Sequence, residues 1–133
     1  MIKFHLGCGL QCPEGWTNID SSMGVKLSKK PLLKKILYFL IPKAWGILPN
    51  IEWPENTMWM DLTKKFKFAD NSVDCIYTSH TLEHLTYEET NFVLKECHRV
   101  IKPNGIIRII VPDFENLVNN YLKNKMENPS IAA

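Results

Sequence analysis

The residues best suited to chemistry are a glycine loop near the amino terminus and an acidic residue that follows it closely. The loop is Gly7-Cys8-Gly9, at the end of an apolar run that begins at Phe4, and the acid is Asp20, at the end of a second short apolar stretch. Glycine has no side chain to hold a ligand away and tolerates positive φ, so a ligand can touch the backbone here. An acid at the end of the second strand of a nucleotide-binding α/β fold accepts hydrogen bonds from ribose hydroxyls. The pair predicts a ligand with an adenosine half; the alternative is that the loop is only a turn.

Two histidines form a second candidate for chemistry. His80 and His84 follow a predicted strand, and with Glu83 they make the pattern H-x-x-E-H. Histidine exchanges protons near neutral pH, so either one is a candidate general base. The same spacing could present three ligands to a divalent metal, but the only other histidines are His5 and His98, and His98 belongs to a different predicted element. We predict no metal site, and the alternative role of the pair is to cap and orient a short helix.

The elements that must position these residues read as an alternating α/β pattern. Three of the five predicted strands are apolar at successive positions, which is typical of parallel strands buried on both faces. The predicted strands are Ile2–Leu6, Trp16–Asp20, Thr57–Asp61, Val73–Ser79 and Ile106–Val111.

Two helices follow from capping signals. Thr86 and Glu89 make a capping box before an apolar stripe at helical spacing. The turn Lys102–Gly105 is predicted to end that helix and lead into the next strand. Asp113 is predicted to cap a last helix, whose apolar residues also recur at helical spacing until the chain turns polar after Lys125.

Composition limits the class of protein. The chain has 133 residues, 45% hydrophobic and 23% charged, which fits one globular domain. A net charge of +2 argues against a dedicated nucleic-acid binder. The four cysteines have no zinc-ribbon spacing, the amino terminus lacks the pattern of a signal peptide, and no apolar run is long enough to span a bilayer. We therefore predict a reduced, cytoplasmic protein.

Residues 21–56 break the alternating pattern and are predicted to be an insertion on the ligand side of the sheet. Six lysines occur between Asp20 and Glu52 with no acid among them, and Pro31–Leu40 is predicted to form one short helix. The insertion has three interpretations. In the first, the insertion is a lid whose tryptophans shape a pocket. In the second, it contacts an anionic membrane surface. In the third, it is an ordinary surface helix with solvated lysines.

The ordered set of motifs resembles the class I S-adenosylmethionine-dependent methyltransferases. It is most similar to the short type 11 branch, whose members carry LGCG, GW-x-NID, D-N-S-x-D and L-E-H-L. Here those motifs are Leu6–Gly9, Gly15–Asp20, Asp70–Asp74 and Leu82–Leu85. Glu96–Asp113 also resembles the family's E-x-x-R-V-L-K-P-G-G stretch, and the likeness covers residues 2–20 and 57–118.

The resemblance implies a fold and a reaction. The fold is α/β, a Rossmann-like parallel sheet of about five strands with flanking helices, truncated relative to the seven-stranded methyltransferase fold. It would form a single domain over residues 1–133 with the basic insertion at 21–56. The reaction would be methyl transfer from S-adenosyl-L-methionine to a small-molecule or saccharide-linked acceptor, the saccharide by analogy with this branch.

The resemblance also assigns roles to residues. Gly7, Cys8 and Gly9 would pass under the methionine part of the cofactor, and Asp20 would hold the ribose hydroxyls. Asp61 and Leu62 would face the adenine ring. Ser79 and His80 would line the sulfonium end, with His80 or His84 as the base if the acceptor needs one.

The sequence departs from the family in ways that keep other interpretations open. His5 stands where the family has an acid two residues before the first glycine, and Gln11 follows Leu10 where a third glycine is usual. The family also continues with two further strands, so we expect either a fragment or a sheet whose open edge is covered by a partner such as a second copy. One rival hypothesis is a catalytically inactive binding or scaffold module. The other is a dinucleotide enzyme, although G-x-G-x-x-G is incomplete.

Overall fold

The computed structural model describes residues 1–30, 32 and 52–127, and for residues 124–127 the backbone alone. Five strands make one sheet: β1 (Lys3–Leu6), β2 (Thr17–Asp20), β3 (Thr57–Trp59), β4 (Val73–Ser79) and β5 (Ile101–Ile110). Their order across the sheet is β3-β2-β1-β4-β5, and every neighbouring pair is parallel. This confirms the predicted Rossmann-like fold class.

Three α-helices that lie wholly within the residues described by the structure accompany the sheet: α1 (Met23–Ser28), α2 (Tyr87–Val100) and α3 (Phe114–Glu127). The capping box of α2 forms as predicted, since Thr86 Oγ1 accepts from the N–H of Glu89 and the Glu89 carboxylate accepts from the N–H of Thr86. Asp113 begins α3 by accepting from the N–H of Asn116 at 2.9 Å. The predicted helix at Pro31–Leu40 lies outside the described residues, apart from residue 32.

The start of β5 was predicted wrongly. The strand begins at Ile101, which pairs with Val73, and regular pairing resumes only where Ile106 faces Cys75. The residues between form an irregularity in which Asn104 has φ +65°. The sequence Lys102–Gly105 therefore interrupts a strand instead of separating a helix from one.

Alternating residues place the hydrophobic core on one face of the sheet. Phe4, Leu6 and Ile76 are at most 1% exposed and pack in one cluster with the α2 residues Val93 and Cys97. Burial raises the pKa of Cys97 to about 12, so this thiol stays protonated inside the core.

A charged cluster fastens the β3–β4 connection to α2. Arg99 donates to the carbonyls of Phe66 and Phe68 and pairs with Glu96 and Asp70. The Glu96 carboxylate, on a residue only 8% exposed, also accepts from the N–H of Phe66 at 2.7 Å. Hydrogen bonds from Arg99 hold the pKa of Glu96 below its usual range. The cluster satisfies backbone groups of a segment that has no strand or helix to pair with.

The β5 end of the sheet remains apolar and open in the described residues. Ile106 on β5 is 67% exposed, and the α3 residues Phe114, Leu117 and Tyr121 are more than half exposed. Exposed apolar side chains on an edge strand and on the helix that follows it in the chain are typical of a contact surface.

Candidate ligand site at the carboxyl end of the sheet

Parallel register brings the exits of β1, β2 and β4 to one edge. Leu6, the last residue of β1, faces Ile19 of β2 on one side and Thr78 of β4 on the other. The residues that follow these strands therefore leave the sheet side by side, as the crevice rule for open α/β sheets requires.

The glycine loop and the acidic strand end are in direct contact. The N–H of Gly9 donates to Asp20 Oδ2 at 2.9 Å, and the N–H of Ser22 donates to Oδ1 of the same carboxylate at 2.8 Å. Asp20 is 8% exposed. A carboxylate has about four lone-pair positions, so two remain for a ligand's hydroxyl groups.

The two glycines of the loop serve different purposes. Both have left-handed φ, +65° at Gly7 and +54° at Gly9. A Cβ on Gly7 would collide with the Thr81 side chain, so Gly7 lets the β4 exit pack against the loop. A Cβ on Gly9 would meet no atom within 4 Å. The loop is therefore bare at Gly9, directly beside the Asp20 carboxylate, and leaves room for a ligand against the backbone.

Asp61 and Leu62 follow β3 at the same edge. Asp61 accepts from the N–H of Thr63 at 2.9 Å and from its hydroxyl at 2.7 Å, and these bonds hold the pKa of Asp61 below its usual range. The Leu62 side chain is 5% exposed and belongs to the core. The Leu62 side chain is therefore not available to a ligand at this edge.

The exit of β4 carries the histidines. His80 has φ +52°, a strained conformation for a residue other than glycine, and its N–H donates to the carbonyl of Ile110 at 3.0 Å. Its side chain is 63% exposed, with Nδ1 3.3 Å from Glu83 Oε1. His84 is exposed at the end of the short 3-10 turn Leu82–His84, whose first residue Leu82 is buried. The described part of the chain holds no group of three or more His, Cys, Asp or Glu side chains arranged for a metal ion.

Two contacts at this edge were not predicted from the sequence. Trp59, the partner of Asp20 across β2 and β3, donates from Nε1 to the carbonyl of Ser21 at 2.9 Å. The ammonium of Lys26 lies 3.6 Å from the centre of the Trp59 ring. The strand predicted over Thr57–Asp61 ends at Trp59 in the structure. The partners of Trp59 come from the insertion and depend on tertiary packing.

A separate cavity of about 820 Å³ lies on the sheet face opposite the core. His5 lines it and is 6% exposed, and its ring centre is 5.0 Å from that of Tyr77. Burial lowers the pKa of His5, so this imidazole is neutral at pH 7. Arg108 and Trp16 complete the polar and aromatic part of the wall.

This chain is similar to a known protein family, to a curated protein and to a solved structure. The family described as "Methyltransferase domain" matches residues 50–109. An uncharacterized methyltransferase of Synechocystis sp. is 30% identical over 69 residues, which are 52% of this chain and 32% of that protein. The crystal structure of the PH0226 protein from Pyrococcus horikoshii OT3 superposes with a TM-score of 0.55 at 20% identity, over 91% of this chain and 53% of the other. The chain thus spans about a third of the curated relative and about half of the solved one.

The matched segment contains only part of the site. Residues 50–109 include Asp61, Leu62, Ser79, His80 and His84, whereas the glycine loop and Asp20 precede them. The contact between the loop and Asp20 is therefore an independent geometric observation.

Proposed function

We propose that this chain is a class I S-adenosylmethionine-dependent methyltransferase domain that binds the cofactor between the glycine loop and Asp20. The Rossmann-like sheet and the match of residues 50–109 to a methyltransferase domain support the proposal. The observation that carries the proposal is the bare Gly9 backbone, whose N–H is hydrogen-bonded to a carboxylate with unused acceptor positions. The proposed activity is methyl transfer to a small-molecule or saccharide-linked acceptor.

Each part of the cofactor has a proposed partner. Asp20 would accept from the ribose hydroxyls, and Gly7 to Gly9, with Cys8 between them, would lie under the methionine part. Asp61 would face the adenine ring, together with the backbone of Leu62. This arrangement uses the carboxyl end of β1 to β3, where parallel α/β sheets bind nucleotides.

The acceptor would approach the exit of β4, lined by Ser79 and His80. S-adenosyl-L-methionine supplies a methyl group already activated by its positive sulfur. The chain's own contribution is to align the acceptor and exclude water. Glu83 lies 3.3 Å from Nδ1 of His80 and can fix the ring so that Nε2 is free to take a proton from the acceptor. His84, on the next turn, is the second candidate for that role.

The cofactor is tested by calorimetric titration of the chain with S-adenosylhomocysteine and, separately, with NAD. We expect one site for S-adenosylhomocysteine and none for NAD. Binding of NAD alone would replace this proposal with a dinucleotide enzyme. Binding of S-adenosylhomocysteine without methyl transfer to any acceptor in a broad panel would favour the inactive module.

A matched pair of variants tests the role of Asp20. Asp20→Asn keeps the size but places an amide N–H₂ against one of two N–H donors, so affinity for S-adenosylhomocysteine should fall about tenfold or more. Asp74→Asn is the control, because Asp74 also accepts two hydrogen bonds, from the N–H of Ile2 and from Lys102 Nζ, but near the start of β4. Equal loss of affinity in both variants would indicate a general loss of structure and contradict the role given to Asp20.

The insertion is proposed to shape the acceptor pocket. Its described part supports this through α1, where Lys26 covers the Trp59 ring and Gly24 lies directly against Trp53. Contact with an anionic membrane surface is the alternative, for a protein proposed to be cytoplasmic. No helix among the described residues has the length and apolar character needed to cross a membrane. Sedimentation with anionic liposomes at low salt decides between the pocket role and the membrane role. Attachment through lysines would carry the chain into the pellet, and high salt would release it.

The open β5 edge is proposed to be covered by a second copy of the chain. The support is the apolar surface formed by β5 and α3, of which Ile106 and Phe114 are the most exposed members. Light scattering coupled to size-exclusion chromatography should give twice the 15.4 kDa chain mass. Ile106→Lys should then return a monomer, and a wild-type monomer at high concentration would end this proposal.

A further inference from the structure

We propose that Cys8 and Cys12 form a redox-sensitive dithiol whose oxidation to an internal disulfide closes the cofactor loop. The two sulfur atoms are 3.5 Å apart, and both cysteines are reduced. A disulfide bond is about 2.05 Å long, so bond formation needs an approach of about 1.5 Å within one glycine-containing turn. The effect on cofactor binding rests on the proposed function; the disulfide itself does not.

Gly9, whose N–H contacts Asp20, lies between Cys8 and Cys12 in the chain. The carbonyl of Gly9 lies 3.5 Å from the Cys8 sulfur and 3.7 Å from the Cys12 sulfur. The turn is closed by the N–H of Gln11, which donates to the carbonyl of Cys8 at 3.0 Å. Drawing the sulfurs together therefore reshapes the peptide units on both sides of Gly9, including the N–H that contacts Asp20.

Cys12 is also held on its other side. Its sulfur lies 3.1 Å from the Thr57 hydroxyl, and its carbonyl accepts from Asn56 Nδ2 at 3.1 Å. These contacts tie the reduced loop to the start of β3. A disulfide to Cys8 would pull the Cys12 sulfur away from Thr57. Oxidation therefore replaces the contact between Cys12 and Thr57 with a bond between Cys12 and Cys8.

The two thiols differ in access, which sets the order of reaction. Cys12 is partly exposed and lines the cavity on the sheet face opposite the core, whereas Cys8 is 4% exposed. The Cys12 thiolate attacks one sulfur of glutathione disulfide and expels a glutathione thiolate, giving a mixed disulfide. The Cys8 thiol then loses its proton to water and attacks the Cys12 sulfur, expelling the second glutathione. In total two protein thiols are oxidised and one glutathione disulfide is reduced to two glutathiones.

Burial raises the pKa of Cys8, so the second step is expected to be the slow one. The close approach of the sulfurs compensates, because the attack is intramolecular. Cys75 also lines the cavity but lies on β4, away from the loop. It is therefore a suitable control for non-specific thiol oxidation.

The first experiment tests the disulfide without any variant. The full chain is incubated with glutathione disulfide, its remaining thiols are alkylated, and it is digested with trypsin. Residues 4–26 form one tryptic peptide that contains both cysteines. We expect this peptide to lose two hydrogen atoms and take no alkyl groups, and to regain both thiols with dithiothreitol. A peptide that stays doubly alkylated, or stops at one bound glutathione, would overturn the proposal.

The second experiment tests the consequence. Affinity for S-adenosylhomocysteine should fall at least tenfold on oxidation of the wild type and of Cys75→Ser, and should not change on oxidation of Cys12→Ser. Full affinity in the oxidised wild type would refute the switch. If the reduced wild type does not bind S-adenosylhomocysteine, the proposed function fails, while the peptide mass still decides whether the disulfide forms.

Discussion

Alanine at position 9 gives a sharp test, because the structure separates its effect on stability from its effect on binding. Gly9 has φ +54°, and a Cβ there meets no atom within 4 Å. The cost to folding is therefore backbone strain alone, about 1–2 kcal/mol. Part of it is offset because alanine restricts the unfolded chain, by about 0.4–1 kcal/mol. The net loss should be about 1 kcal/mol, or a fall in Tm of about 2–5 °C for a domain of this size.

Binding should suffer more than stability. The new methyl group would stand in the space where the proposed cofactor approaches the loop, so affinity for S-adenosylhomocysteine should fall at least about tenfold, or about 1.4 kcal/mol. Gly15→Ala is the matched control, since Gly15 has φ +74° and the nearest atom to its Cβ is Lys3 Nζ at 4.0 Å. It carries the same strain outside the loop.

The assay compares melting curves and calorimetric titrations of the two variants. We expect similar falls in Tm and a loss of affinity in Gly9→Ala only. If Gly9→Ala binds S-adenosylhomocysteine as the wild type does, the cofactor does not pack against this backbone and the geometric reasoning is wrong.

Three further predictions concern stability. Gly7→Ala should lower the Tm more than Gly9→Ala does, because its Cβ collides with Thr81, and equal melting temperatures would contradict that packing. Glu96 has a folded-state pKa below its unfolded value, so its contribution is complete above the unfolded pKa of about 4.3 and is lost as the pH falls through the folded value. Urea titrations should show this acid loss in the wild type and a smaller one in Glu96→Gln. Thr86→Ala removes the cap of α2 and should cost about 0.5–2 kcal/mol in the same titration, whereas no change would show that the cap is dispensable.

Local signals were sufficient for much of the fold. The capping box of Thr86 and Glu89 and the cap at Asp113 depend on residues within one turn, and both form as predicted. Apolar patterning located the five strands, although β3 ends at Trp59 and not at the predicted Asp61. The start of β5 could not be read in this way, because the pairing of Ile101 with Val73 is a long-range contact that periodicity does not encode.

For the candidate site, the sequence proposes residues but does not show how they touch one another. The spacing of Gly9 and Asp20 suggested one ligand, whereas their direct hydrogen bond is visible only in three dimensions. Helix α1 was not predicted, because six residues with a glycine at the second position have little helix propensity and depend on packing against Trp53. Gly24 and Lys26 contact Trp53 and Trp59, which lie far away in sequence, so composition alone left the role of the insertion open.

The central claim is that S-adenosyl ligands bind between the glycine loop and the β2 exit. Titration of the ¹⁵N-labelled chain with S-adenosylhomocysteine tests it most directly, because the amide resonances report the location of the ligand. We predict that the largest shifts occur at Gly7 to Gly9 and at Asp20 to Ser22. Shifts confined to the cavity of His5, Tyr77 and Arg108, or no shifts at saturating ligand, would contradict the account.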